Sequence, residues 1–181
     1  MTDFFRQLVT GLRALIVLTV LLGIGYPIAV WGVSQVGLND QANGSLIVRN
    51  GTVVGSKIIG QAFEGTEWFL PRPSANDYDG LASGGSNLGP SEPDLITSID
   101  ERRAAVARRD GVVPADVPPD AITASASGLD PYISPAYAEI QVARVSTARA
   151  VPDQQVRDLV AAHTSGRILG FLGEPRVNVL T

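Results

Sequence analysis

The chain has 181 residues, a formal net charge of −4, one histidine and no cysteine. Disulfide scaffolds and thiol chemistry are therefore excluded, and with His163 alone and no compact carboxylate cluster a zinc site is not expected. The 14 basic residues are scattered, without the basic stripe of a nucleic-acid binder, so no nucleic acid is expected as a partner.

The first element is a membrane span. Ala14 to Val36 contains no charged side chain, and 23 residues of helix reach about 34 Å, enough to cross a hydrocarbon core of about 30 Å. A lone segment in lipid must satisfy its own backbone, so it should be helical. The apolar run exceeds the length usual for a cleaved signal peptide and no clean small-x-small site follows, which favours an anchor. Arg6 and Arg13 precede the span, whereas Asp40 follows it with no base before Arg49. By the positive-inside rule, 1–13 is a cytoplasmic head, 14–36 the transmembrane helix, and 37–181 an extracytoplasmic domain. Within the span Pro27 should bend the helix, and Trp31 should lie in the outer aromatic belt. Gly25, Ala29 and Gly32 fall on one face, either as a surface for a neighbouring helix or as the ordinary glycine content of membrane helices.

About 145 residues remain, enough for one domain with a real core. Asn43-Gly44-Ser45 matches the glycosylation pattern, a short match of little weight. Ser45–Arg49 and Thr52–Ile59 read as strands of a hairpin turned at Asn50-Gly51. Trp68-Phe69-Leu70 is an apolar cluster, and residues 71 to 91 are nearly all turn formers, a length that marks a loop as functional or disordered. A helix should follow Pro93 and run to about Arg109, with Ser91 and Asp94 spaced as a capping box and Leu95, Ile99, Arg102 and Val106 on one face. Its cluster Arg102, Arg103, Arg108, Arg109 alternates with Glu101 and Asp110, as a solvated helix face does. After a Pro-rich connector, Ser134 is placed as an N-cap with Pro135 at the first helical position, and that helix should reach Arg149. A third helix begins at Val151-Pro152-Asp153. Its face of Val156, Leu159, Val160 and His163 should meet the core, which makes His163 a partly buried structural residue. Val177–Leu180 reads as a strand closing the sheet. The class is α+β: one N-terminal transmembrane helix, then one domain with a small sheet, built from the early strands and the last, packed by about three helices.

Little of this carries chemistry. There is no phosphate-binding loop, nucleophile elbow, HExxH or calcium loop. The serines lack a base in reach, since the sole histidine lies on the apolar face and Lys57 sits mid-strand without SxxK spacing. Two stretches stand out: Arg72-Pro73-Ser74 through Ser83-Gly84-Gly85-Ser86-Asn87, and Ser125-Ala126-Ser127-Gly128-Leu129-Asp130. Gly-rich turns with hydroxyls and a guanidinium could form an anion nest, or could tie down a long loop by side-chain to backbone bonds, the reading favoured on physical grounds.

Six pieces in order carry a resemblance: Gln41-Ala42-Asn43-Gly44-Ser45-Leu46; Gly60-Gln61-x-Phe63; Arg72-Pro73-Ser74-Ala75; Ala82-Ser83-Gly84-Gly85-Ser86-Asn87-Leu88; Thr123 through Asp130 with Ile133-Ser134-Pro135; and Gly173-x-Pro175-x-Val177-Asn178. Together, over nearly the whole chain, they resemble the KdpC family, one of the components of the bacterial Kdp high-affinity potassium-transporting ATPase. The resemblance implies a non-catalytic accessory subunit, needed for assembly and described as a catalytic chaperone that raises the ATP affinity of the pump subunit. It implies a channel-like potassium-translocating subunit and a P-type ATPase subunit as partners, with a further small single-span subunit and membrane lipid beside them. Potassium would be the transported ion, ATP and Mg2+ would be used by the partner ATPase, and this chain is not expected to hold a cofactor of its own. Carried over residue by residue, the candidate interface positions are Arg72, Ser74, Ser83, Gly84, Gly85, Asn87, Ser125, Ser127, Gly128, Leu129, Asp130, Ser134, Pro135 and Gln141, and Gly25, Ala29 and Gly32 would pack the span. Two departures are Pro71, where the family has glycine before Arg-Pro-Ser, and the end at Thr181 without the acidic tail of many members. The alternative from a different class is a membrane-anchored extracytoplasmic ligand-binding or sensor module.

Overall fold

The computed structural model describes residues 2–181, which form two compact units, one ending at Leu46 and the other Ile47–Thr181. The first unit is dominated by one continuous helical rod, Thr2–Gly37, whose side chains are almost all exposed because they have nothing but their surroundings to pack on. At about 54 Å it outruns a hydrocarbon core, so the first turns, where Arg6 pairs with Asp3 at 3.3 Å, extend beyond the apolar stretch. The rod consists of α1 (Thr2–Leu18), a π-helical stretch (Thr19–Gly25) and α2 (Tyr26–Gly37). The π stretch sits where Pro27 cannot donate and its ring crowds the preceding turn. Widening that turn, with Tyr26 N–H donating to the Leu21 carbonyl, accommodates the proline without ending the helix. A single turn, α3 (Asn39–Ala42), completes the unit.

The second unit opens with a hairpin, β1 (Leu46–Arg49) and β2 (Thr52–Ser56). Its turn residues Asn50 and Gly51 have φ of 51° and 79°, the positive pair that a tight primed turn requires and that this dipeptide tolerates best. After a long irregular stretch come α4 (Pro93–Asp110), two 3₁₀ turns (Pro114–Asp116 and Pro119–Ala121), β3 (Tyr132–Ile133), α5 (Pro135–Arg149), α6 (Asp153–Ala162), β4 (Thr164–Ser165) and β5 (Arg176–Asn178).

The class is α+β, with a mostly helical domain carrying two small antiparallel sheets, but the sheet differs from expectation. The early strands do not join the last one: β1 and β2 pair only with each other, and the second sheet has the order β3-β5-β4. Both edges of β5 are already used, Val177 facing Ile133 on one side and Thr164 on the other. A side chain links the hairpin to β5 instead: Asn178 Nδ2 donates to the carbonyl of Lys57, just past β2, at 2.8 Å.

The core lies where α4, α5 and the second sheet meet, around Val106, Ile122, Ile133, Tyr137, Ala138 and Val177, with a satellite of Val142, Val145 and Val156 between α5 and α6. Each large apolar side chain removed from water there contributes about 1.5–3 kcal/mol. Phe69 packs against both clusters, which anchors the middle of the irregular stretch.

Helix ends follow their residues, with one exception. Ser134 caps α5, accepting from Tyr137 N–H at 3.0 Å with Pro135 behind it, and Gly111 ends α4 in the left-handed region. The capping box at Ser91 and Asp94 does not form. Pro93 takes the first helical position, so the cap falls on Glu92 in extended backbone and Ser91 lies one residue outside. His163 is also not part of the core face: α6 ends at Ala162, His163 is its exposed C-cap, and Leu159 is 56% exposed. Both residues line an open groove instead.

Candidate functional site

Arg72–Ser74, Asn76–Gly85 and Thr123–Asp130 have almost no regular structure, yet they form one knot through bonds between their backbones. Ser125 N–H donates to the Pro73 carbonyl at 3.0 Å, Gly84 N–H to the Ser127 carbonyl at 2.9 Å, and Gly60 N–H to the Leu129 carbonyl at 2.7 Å. The serines complete it. Ser83 Oγ donates to the same Ser127 carbonyl at 3.0 Å, while Ser127 Oγ accepts from Leu129 N–H at 3.1 Å. Ser74 Oγ accepts from the N–H groups of Asn76 and Tyr78 at 3.2 and 3.0 Å and donates to Asn76 Oδ1 at 2.6 Å. Asn76 Nδ2 then donates to the Ala82 carbonyl, closing the loop on itself.

Two glycines are required by contact. A Cβ at Gly60 would lie 2.8 Å from the Asp130 carbonyl oxygen. At Gly128, where φ is +69°, it would fall 1.9 Å from Asn76 Oδ1 and 2.9 Å from the Gly84 carbonyl oxygen. Gly85 is milder, with Ala126 O at 3.2 Å.

Arg72 crosses the knot. It reaches Asp130 Oδ2 at 3.5 Å and donates to the carbonyl and hydroxyl of Thr123 at 3.4 and 3.5 Å, while its Nε is buried without a partner. Asp130 uses its other oxygen to accept from Tyr132 N–H at 3.0 Å, fixing the entry to β3. Tyr78 donates its hydroxyl to the Arg72 carbonyl. Burial pushes the Tyr78 pKa up, Tyr137 and Asp130 add to the rise, and Arg72 opposes it, so this hydroxyl stays protonated and donating.

The remaining candidates fall elsewhere. Asn87 is exposed with φ 54° and makes no side-chain hydrogen bond among the described residues. Ser134 caps α5 and also binds Asp120 through its N–H at 2.7 Å and its hydroxyl at 2.9 Å. Gln141 is fully buried: it accepts from Leu70 N–H at 2.8 Å and returns a bond to the Leu70 carbonyl at 3.2 Å, clamping that segment as a strand partner would. Gly25, Ala29 and Gly32 lie in or beside α2, and a side chain at Gly32 would meet nothing within 4 Å.

A second buried network was not legible in the sequence. Asp110, whose side chain is wholly buried, is bound by Arg109 NH2 at 2.5 Å and by Arg144 Nε at 2.7 Å. Arg144 also donates to the carbonyls of Thr66 and Trp68 at 2.5 and 2.9 Å and to Gln141 Oε1 at 2.7 Å. Arg109 reaches the Tyr137 hydroxyl at 3.2 Å. Burial opposes its charge, but its bonds to Asp110 and Tyr137 raise its pKa on balance. Burial raises the pKa of Tyr137, against the pull of Arg109. Asp110 and Arg109 are thus not part of a solvated face. The only signal available was position, the last turn of α4 before a left-handed glycine, which faces back toward the domain. Arg102 likewise turns inward, donating to the Ile122 carbonyl at 3.2 Å.

Chemically, the knot consumes its own donors. The Gly84 and Ser125 N–H groups are bound to carbonyls of the facing loop, those of Asn76, Tyr78 and Leu129 to serine hydroxyls of their own loop, and none of the knot's hydrogen bonds involves His163. Among the described residues no three His, Cys, Asp or Glu side chains come together as metal ligands. What the arrangement offers is a stiffened polar surface rather than a cavity with reactive groups.

One apolar helix long enough to span a bilayer, followed by a larger extracytoplasmic domain, makes this a single-pass membrane protein. Residues 8–181 match the family model described as KdpC, the K+-transporting ATPase c chain, and the chain belongs to that family. It is 54% identical to the potassium-transporting ATPase KdpC subunit of Kineococcus radiotolerans, over 99% of this chain and 92% of the relative. It is 49% identical to that of Koribacter versatilis over 97% and 91%, and 50% identical to that of Mycobacterium tuberculosis over 97% and 94%.

Proposed function

We propose that this chain is the non-catalytic accessory subunit of an ATP-driven potassium uptake complex, holding together a channel-like translocating subunit and a P-type ATPase subunit. The observation that carries the reading is identity of 49–54% over nearly the full length to relatives described as subunits of a potassium-transporting ATPase. The domain faces outward, because Arg6 and Arg13 lie before the apolar run and only Asp40 closely follows it. ATP is consumed on the other side of the membrane, so coupling to the pump is indirect. The protein favours one state of its partners by binding that state better, and any rise in ATP affinity follows by linkage.

The test is co-expression with the two large subunits, tagging this chain and recovering the complex from membranes. Stable recovery of both partners and growth at limiting potassium are expected. Recovery of this chain alone would overturn the reading and favour the ligand-binding or sensor module, for which one observation speaks: an open, mainly apolar groove of about 690 Å³ bordered by Val54, Phe63, Trp68, Leu159 and Val179.

Two further results are expected on this reading. Gly25→Leu with Ala29→Leu should reduce co-recovery severalfold if that face packs on a partner helix, and unchanged recovery would make the face incidental. Arg72→Ala and Asp130→Ala remove a long, partly buried pair at 3.5 Å whose side chains are 27% and 29% exposed. Each should leave the protein folded while lowering complex recovery or transport. Normal transport by both would show that the knot is not a working surface.

A further inference from the structure

Apart from Leu81 at 99%, the most exposed large apolar side chains of the second unit, Leu169 and Phe171, belong to the arm between β4 and β5. Ser165 and Arg176 are its last ladder pair. Beyond them the chain runs out and back, pinned once where Ile168 and Leu172 exchange both backbone bonds at 2.9 Å. Leu169 and Gly170 turn the tip with φ of 53° and 80°. Every residue from Ser165 to Pro175 is exposed. At about 3.3 Å per residue the tip stands roughly 15 Å beyond the sheet. It carries Ile168, Leu169, Phe171 and Leu172 at 58, 79, 70 and 49% exposure, a cluster that soluble surfaces do not leave in water without a partner.

From this arm we infer that the tip dips into the interface of the bilayer that holds the span. Three observations select lipid over protein as the occupant. The tether is short: the helical rod ends at Gly37 and the folded unit starts at Ile47, and the ten Cα–Cα steps between them reach at most about 36 Å, so the membrane is always within range of the domain. The tip itself, Ile168, Leu169, Phe171 and Leu172, is aliphatic plus phenylalanine, a set that interfacial segments bury among acyl chains. The tip itself is uncharged: Arg167 binds Glu174 at 2.7 Å across its base, and Arg176 at the last ladder pair stacks over Tyr132 at 4.6 Å from the ring centroid, so no charge needs to enter with the tip. The inference rests on the membrane span and stands whether or not the chain serves a potassium pump.

The chain has no native cysteine, so single-cysteine variants report one site each. Leu169→Cys, Phe171→Cys and, as an exposed control on α4, Glu101→Cys would be labelled with an environment-sensitive fluorophore. The full-length chain, without partners, would be reconstituted in phosphatidylcholine vesicles. Labels at 169 or 171 should shift to the blue and be quenched by nitroxide-bearing lipid, with the Glu101→Cys label unaffected and no change on adding phosphatidylglycerol. If neither tip label exceeds the control, the inference falls. Shielding that develops only when partner subunits are added would assign the arm to protein docking and would equally overturn it.

Discussion

Asp110→Ala is expected to cost the domain about 3–5 kcal/mol, because it leaves two guanidinium groups inside the fold without their shared acceptor. Asp110 is wholly buried, and each of its oxygens is claimed by a different arginine, Arg109 from its own helix and Arg144 from α5. Arg144 is itself 7% exposed and spends its other donors on the carbonyls of Thr66 and Trp68. Removing the carboxylate therefore loosens α4 from α5 and releases the irregular stretch that the same arginine holds. In thermal unfolding followed by circular dichroism, a loss of that size lowers Tm by about 10–20 °C for a domain of this length. A fall of less than about 3 °C would show that the network contributes no more than a surface pair does. Asp110→Asn is the informative companion: it keeps the shape and one acceptor but removes the charge, and should fall between the two.

The reason this network escaped the sequence is physical. A run such as Arg108-Arg109-Asp110 at a helix end has the composition of a solvated terminus. Only the path of α5 brings Arg144 to it, from 34 positions further along the chain. Features set by neighbouring residues were legible. The uncharged run Ala14–Val36 signals an apolar helix, which the structure carries over Thr2–Gly37, Asn50-Gly51 marks the hairpin, and Ser134-Pro135 marks the start of α5 with its cap in place. Where a local rule competed with another, the stronger constraint won: Pro93 displaced the capping box by fixing the first helical position. Pairings across long separations were not legible. The sheet divides because β5 is enclosed by β3 and β4, and nothing in the composition of Leu46–Arg49 says that its partner is only Thr52–Ser56. Within the candidate site, the motif residues were recognised, but their roles come partly from contacts with residues that carried no signal, Asn76 and Tyr78 among them.

Gly128→Ala should act on a different scale, opening the knot while leaving the core folded. The backbone at Gly128 sits at φ +69°, which alone disfavours alanine, and the new methyl would overlap Asn76 Oδ1 and press on the Gly84 carbonyl. Asn76 is the member that cannot move freely, since it accepts from Ser74 Oγ and donates to the Ala82 carbonyl. Displacing it frees the 74–82 loop from its own turn and breaks the register in which Gly84 and Ser83 both bind the Ser127 carbonyl. Strain, overlap and several weakened bonds together amount to about 2–4 kcal/mol. The loss is local because none of these residues belongs to the cluster around Val106, Ile133 and Tyr137. Hydrogen exchange should therefore accelerate at the Asn76, Tyr78 and Gly84 amides and stay slow in α5, with a smaller fall in Tm than Asp110→Ala gives. If the knot is the surface that partner subunits read, complex recovery should drop further than this modest destabilisation accounts for. Equal protection of Gly84 in the two proteins would show that the loops absorb the methyl, and the glycine would then be dispensable to the geometry.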